Sequence, residues 1–312
     1  MFNYLRRHPQ IFMPAAKEPH YFAQDLSAPG FVKDERTYLA FFSGAGQAKR
    51  VGEASVWYLY SGVAAARIHA FQPDARIIVM LRDPVEMIRS LHGRSLFSRD
   101  ETITDLAAAL DAEADRREGR RIPAGAALPA ALLYRDAARF SAQVARFIGR
   151  FGPERVHFVI LEDLAADPGD VYGGVLEFLG VDASFRPEFG VVNAHRRPRS
   201  ELANRLVFDT SWGARAISRR VLPPRWRQRA RSTLVWRRFI RLNADSTRPT
   251  AMAPDLRLRL QRELAPDVAS LSDRLGRDMA LLWWGQRAGD LTMAAGGRGA
   301  GSVAPDPRRT AP

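Results

Sequence analysis

The chain has 312 residues, 46% of them hydrophobic and 26% charged, with a formal net charge of +13 and no cysteine. That is ordinary globular composition, long enough for one large α/β domain or two small ones. It excludes a disulfide framework, a thiolate nucleophile and a cysteine-ligated zinc site. The charge looks like a nucleic-acid signal, yet Lys17, Lys33 and Lys49 are the only lysines among the 47 basic residues. We read the arginine excess mainly as coding bias. What it leaves is an affinity for anions in general: phosphates, sulfates, acidic glycans or a membrane surface.

In chain order, the opening "MFNYLRRHPQ" carries charge but is followed by no apolar run, so it is not a signal peptide. No later run approaches the roughly 18 apolar residues of a membrane span, and a cytoplasmic protein is expected. "AKRVGEAS" (48–55) is a candidate strand with "VG" at its centre. "RIIVML" (76–81) and "VHFVIL" (156–161) are the clearest strands, short β-branched apolar runs bounded by charge, as in strands covered on both faces. Helical periodicity occupies 84–94, 103–117, 131–151, 168–179 and 255–285. Strands alternating with helices predict a parallel sheet with crossover helices. Residues 199–245 are helical in pattern but crowded with arginine and tryptophan. After Gln286 the composition shifts to Gly, Ala, Pro and Arg, so one domain over 1–286 and a disordered tail over 287–312 are expected. The histidines at 8, 20, 69, 92, 157 and 195 show no metal-ligand spacing.

One stretch, "IIVMLRDPVEMIRS" (77–90), carries chemistry. In a parallel α/β sheet, ligands sit beyond the carboxyl ends of the strands, so Arg82, directly after "IIVML", points into the binding crevice. Asp83 as N-cap and Pro84 as first helical residue fix the start of a helix. Ser90 then lies about two turns in. A permanently charged planar fork with a hydroxyl nearby suits a phosphate. The competing reading is an Arg82 paired with a neighbouring carboxylate.

Five separated segments then agree in order and spacing: "LRRHPQIFMPAAKEPHYF" (5–22), "VGEASVWYLYS" (51–61), "PDARIIVMLRDPVEMIRSLH" (73–92), "ERVHFVILEDLAADPGDVYGGVLEFLGVD" (154–182) and "LGRDMALLW" (275–283). Together they resemble sulfotransferases of the bacterial and heparan-sulfate type over roughly residues 4 to 284. The resemblance implies a P-loop-NTPase-like α/β fold, a parallel sheet with flanking helices. It also implies 3'-phosphoadenosine 5'-phosphosulfate (PAPS) as sulfuryl donor and no metal. It assigns Arg82 and Ser90 to the nucleotide 3'-phosphate, Glu18 of "KEPHYF" to general base, and Lys17 and His20 to charge on the moving sulfuryl group. The plain alternative for Glu18 is a surface ion pair with Lys17. "NAHRRPRS" (193–200) falls where the family carries a basic loop over the nucleotide, making Arg196, Arg197 and Arg199 candidates for one phosphate contact. Glu162 and Asp163 of "LEDL" take structural roles at a strand end.

Two departures from the family pattern follow. The family's first strand and its Gly-rich, Lys-containing loop for the 5'-phosphosulfate have no counterpart, so the chain is expected to begin in mid-helix with its true start upstream. Ala54 and Val56 stand where glycan-type members often have lysine and proline, which puts a heparan-like acceptor in doubt. Trp57, Tyr58 and Tyr60 form either an acceptor wall or core. A carbohydrate, lipid or small-metabolite hydroxyl, or an amine, remains open as acceptor, and the oligomeric state is not read. The rival readings are a catalytically silent anion-binding relative, and a nucleic-acid or peripheral membrane protein acting through 213–243 with Trp226, Trp236 and Phe239. Of these partners, nucleic acid is not expected.

Overall fold

The apolar runs at Ile77–Leu81 and Val156–Ile160 lie side by side as parallel strands, in register from Ile77 opposite Val156 to Leu81 opposite Ile160. The structure is a computed structural model that describes residues 1–190, 197–198, 244–245 and 252–291, the two dipeptides as backbone strands. Among the described residues the first elements are α1 (Phe2–Leu5), β1 (Ile11–Phe12), α2 (Glu35–Ala40), β2 (Arg50–Val51), α3 (Ala64–Phe71), β3 (Ile77–Leu81) and α4 (Pro84–Ser98). Then come α5 (Leu106–Asp111), α6 (Glu113–Arg117), α7 (Tyr134–Ala138), α8 (Phe140–Phe151), β4 (Val156–Ile160), α9 (Leu161–Ala166) and α10 (Pro168–Leu179). The last are β5 (Arg197–Pro198), β6 (Ala244–Asp245), α11 (Pro254–Leu275) and α12 (Met279–Trp284). β1 and β2 form a second parallel pair, whereas β5 and β6 are antiparallel.

Both faces of the β3–β4 pair are covered, which explains their nearly unbroken apolar sequences. Val79, Leu81, Val156 and Ile160 enter the larger core with Val85 and Ile88 of α4, Val144 and Phe147 of α8, Leu260 and Leu264 of α11, and Met279 of α12. Val159, with Ile78 beside it, faces the other way, onto Tyr172, Val175 and Leu176 of α10 and Leu5 of α1. A third, aromatic cluster of Tyr21, Phe22 and Tyr38 packs on Ala64. Each fully buried leucine or isoleucine here contributes about 1.5–3 kcal/mol.

Local signals set the helix ends. Asp83 accepts the Val85 N–H at 2.8 Å and Pro84 opens α4, which runs to Ser98 and stops at a left-handed Arg99. α10 occupies the predicted 168–179, capped by Asp167 and closed by the left-handed Gly180. Three predicted helices are interrupted. The 103–117 pattern divides at Ala112, and the 255–285 pattern divides at the left-handed Gly276, after which Asp278 caps α12. The 131–151 pattern breaks at Leu133 and Arg139. There the Gln143 amide donates to the carbonyls of Asp136 (3.0 Å) and Ala137 (3.2 Å), taking up acceptors that the break releases. Tyr134 is held at the break by its hydroxyl, which donates to Glu101 at 2.8 Å. Glu101 also pairs with Arg116 at 2.7 Å, with both side chains at most 1% exposed. Burial pushes the Glu101 carboxyl up, but the N–H groups of Ile103 and Thr102, the Tyr134 hydroxyl and Arg116 outweigh it and hold it below the usual range. The described chain continues past Gln286 to Leu291, whose side chain reaches the larger core.

Candidate functional site

The corner between β3 and α4 surrounds Arg82 with carboxylates that are already engaged. Asp83 caps α4, accepts the Trp284 indole N–H at 3.1 Å and faces Arg257 at 3.7 Å. Glu86 pairs with Arg89 at 2.6 Å and also with Arg257. Glu162, at the start of α9, accepts the Asp83 N–H at 3.3 Å and the Trp283 indole N–H at 3.0 Å. Arg82 therefore has no carboxylate partner among the described residues, and its Nε is buried without a hydrogen bond there. A buried polar group left in this state costs about 1–3 kcal/mol, so it calls for an explanation. The hydroxyl of Ser90, half-buried two turns into α4, likewise has no hydrogen bond among the described residues. A phosphate is the kind of acceptor that a guanidinium and a hydroxyl in this state lack, so the chemistry of the two residues fits one.

Glu162 and Asp163 are helical rather than strand-end residues, but structural as the sequence suggested. Asp163 forms a two-point pair with Arg277 at 2.5 and 2.9 Å, which ties α9 to the α11–α12 junction.

The "KEPHYF" segment follows β1 in a constrained conformation. Glu18 (φ 64°) and His20 (φ 51°) are both left-handed, on either side of Pro19. Such residues persist only where the surroundings hold them, and here three bonds do so. The Glu18 N–H donates to the Ala54 carbonyl at 3.0 Å, the His20 N–H to Ser55 Oγ at 3.0 Å, and the Val32 N–H to the Pro19 carbonyl at 2.8 Å. Lys17, Glu18 and His20 are thereby brought together: Lys17 Nζ lies 3.1 Å from Glu18 Oε1, and His20 Nε2 lies 3.6 Å from Oε2. The Lys17 pair is present as the plain reading required, but it is one of two contacts. At 3.6 Å the His20 contact is longer than a hydrogen bond and is best read as electrostatic. That pull, opposed by burial and reinforced by the charges of Lys17 and Arg94, holds the Glu18 carboxyl down at about 2. His20 is buried, with its ring against Phe31 at 4.2 Å.

Two participants carry no signal in the local sequence. Arg94 is exposed on α4, four residues and so one turn beyond Ser90, and its charge acts on Glu18. α4 thus runs from the Arg82 corner to the Glu18 loop. Glu53 stands behind that loop, accepting the Ser55 hydroxyl at 2.8 Å. Beside His20 a cavity of about 240 Å³ opens, lined by Tyr21, Gln24, Phe31 and Lys33 among others. Tyr58 packs on Phe22 and the aromatic cluster as core, while Trp57 meets Tyr60 edge-on at 5.9 Å. Arg196 and Arg199 lie outside the described residues, as does the basic stretch 213–243. Arg197 is described only through its backbone in β5. Among the described residues no helix is long and apolar enough to cross a membrane.

Comparison with known proteins bears on this arrangement. The model of the Sulfotransferase family matches residues 37–187, a span that holds Arg82, Ser90, Arg94 and Glu53. The crystal structure of a sulfotransferase from Alicyclobacillus acidocaldarius is similar at 27% identity and a TM-score of 0.63, covering 90% of this chain and 91% of that one. The sulfotransferase domain from the curacin biosynthetic pathway matches at 17% identity and a TM-score of 0.32, over 49% of this chain and 45% of that one, too partial a likeness to bear on function. None of the curated proteins matches the chain.

Proposed function

We propose that the chain, which matches the Sulfotransferase family over residues 37–187 and is similar to a solved sulfotransferase over 90% of its length, moves a sulfuryl group from PAPS to a hydroxyl or amine of an acceptor. The observation that carries this reading is the Arg82 guanidinium at the end of β3, its Nε buried and unpartnered among the described residues, with the free Ser90 hydroxyl two turns on. In this reading Arg82 and Ser90 hold the nucleotide 3'-phosphate. PAPS supplies a sulfuryl group activated by its attachment to the 5'-phosphate. Glu18 takes the proton of the attacking acceptor group. Its low value keeps the carboxylate ionised but makes it a weak base, and an anionic donor arriving beside it raises that value by opposing the field of Lys17 and Arg94. Lys17 and Arg94 then face the moving sulfuryl charge. A carbohydrate, lipid or small-metabolite acceptor, closure of the nucleotide site by one of Arg196, Arg197 and Arg199, and work in the cytoplasm belong to the same proposal.

The test is a thermal-shift titration with adenosine 3',5'-bisphosphate, using AMP as the control without a 3'-phosphate. At about 100 times its dissociation constant a ligand of the native state adds roughly 2.7 kcal/mol. A rise in melting temperature with the bisphosphate alone is the expected result. Equal rises with both nucleotides, or none with either, would overturn the assignment of Arg82 and Ser90.

A further inference from the structure

Residues 53–55 back the loop that carries Glu18 and His20. Ser55 Oγ is the link, donating to Glu53 Oε2 at 2.8 Å and accepting the His20 N–H at 3.0 Å. One atom on each of the two residues that Ser55 links is buried without a hydrogen-bond partner among the described residues, Glu53 Oε1 and His20 Nδ1. Each alone would cost about 1–3 kcal/mol. Their chemistry is complementary. Glu18 is ionised and can only accept, so the ring nitrogen facing it, Nε2, carries the hydrogen. In the neutral ring that leaves Nδ1 an acceptor in need of a donor. Burial pushes the Glu53 carboxyl up toward its protonated form, against the hydroxyls of Tyr58 and Ser55. With Oε2 taken by the Ser55 hydroxyl, the proton of a neutral Glu53 belongs on Oε1, where it is a donor in need of an acceptor.

We propose that Glu53 is a positioning residue that donates from Oε1 to His20 Nδ1, through a small shift or one bridging water, and so fixes the tautomer that presents Nε2–H to Glu18. The surrounding groups leave this task to Glu53. Lys17 and Arg94 act on the Glu18 side, Phe31 covers the face of the His20 ring, and Tyr58 meets that ring edge-on while its hydroxyl acts on Glu53. In the other tautomer the bare Nε2 lone pair would face the carboxylate and repel it, and Glu18 would lose its orientation. The arrangement serves the same end as the third member of a catalytic triad, with a neutral donor in place of a carboxylate. Its functional meaning rests on Glu18 being the base of sulfuryl transfer.

The tautomer can be read directly by long-range ¹H–¹⁵N NMR on the full chain labelled in histidine, with the His20 signals identified by their loss in His20→Asn. The wild type is expected to show His20 protonated at Nε2 with Nδ1 bare. Glu53→Gln keeps a donor, its amide N–H, and should preserve that tautomer. Glu53→Leu removes the donor and should shift a large fraction of His20 to the Nδ1–H form. An unchanged tautomer in Glu53→Leu would overturn the proposal, and so would a Glu53→Gln protein that changes tautomer, since that would make charge the active feature. If Glu53→Leu does not fold, the Glu53→Gln result decides. Bisphosphate titration of the same samples keeps the two readings apart: a wild type that binds no nucleotide defeats the sulfotransfer assignment, whatever the state of the ring.

Discussion

Replacing Arg82 by methionine separates a ligand-binding arginine from a structural one. Methionine keeps most of the side-chain stem and removes the guanidinium, whose Nε has no partner to lose among the described residues. The stability of the free protein should therefore be unchanged or raised, because a buried polar group left unpaired costs about 1–3 kcal/mol and the substitution removes that cost. Nucleotide binding should suffer instead. A hydrogen bond to a charged group is worth about 1.5–3 kcal/mol, so the dissociation constant should rise between about 10- and 150-fold. Taking about 2 kcal/mol, a bisphosphate concentration near 100 times the wild-type constant leaves the variant at roughly 4 times its own. The ligand then stabilises it by about 0.9 rather than about 2.7 kcal/mol, and the thermal shift shrinks to about a third. A melt of each protein with and without the bisphosphate reads both quantities. A free variant that loses more than about 1 kcal/mol would show that Arg82 braces the corner, and a full-sized thermal shift would show that no phosphate rests on it.

Glu18→Gln should reduce sulfuryl transfer by about 10²- to 10⁴-fold while leaving the bisphosphate shift intact, because it removes a proton acceptor and not a nucleotide contact. Acid stability offers a second view of Glu18. Its folded-state value lies below the ordinary 4.5, so its contribution is present above that pH and is lost as the pH falls toward about 2. Acid denaturation followed by tryptophan fluorescence should accordingly show Glu18→Gln losing less stability than the wild type across that window. Glu162→Ala strips the acceptor from the Asp83 and Trp283 N–H groups and should cost about 1–3 kcal/mol, with weaker bisphosphate binding in the same samples. Leu176→Ala, fully buried between α10 and β4, should cost about 2–5 kcal/mol in urea unfolding without altering nucleotide affinity in the protein that remains folded.

The β3–α4 corner was legible because every cue to it is local: an apolar β-branched run, an aspartate, then a proline. The grouping of Lys17, Glu18 and His20 was legible because the three fall within four consecutive residues, although bonds to Ala54, Ser55 and Val32 fix the turn that closes it. What the sequence concealed depends on chain brought in from afar. Arg94 reads as one more exposed arginine until α4 is laid against the Glu18 loop, and Glu53 as a charge ahead of a weak strand until Ser55 joins it to His20. The break at Arg139 was hidden by an amphipathic pattern that runs on across it, while Gln143, a polar residue on that pattern, takes up the carbonyls.

The two indoles at the end of α12 give the corner a temporal order. Trp284 reaches Asp83 across 201 residues of sequence, and Trp283 reaches Glu162 across 121. At a synthesis rate of about 5–20 residues per second, roughly 10 to 40 seconds separate the making of Asp83 from that of Trp284. Through that interval β3 and the start of α4 can exist, but Asp83 and Glu162 lack the N–H groups that hold them. On the proposed function, nucleotide in the surrounding solution would therefore stabilise the finished chain and not the nascent one. An interrupted translation product that stops short of α12 carries Asp83 and Glu162 without their indole partners.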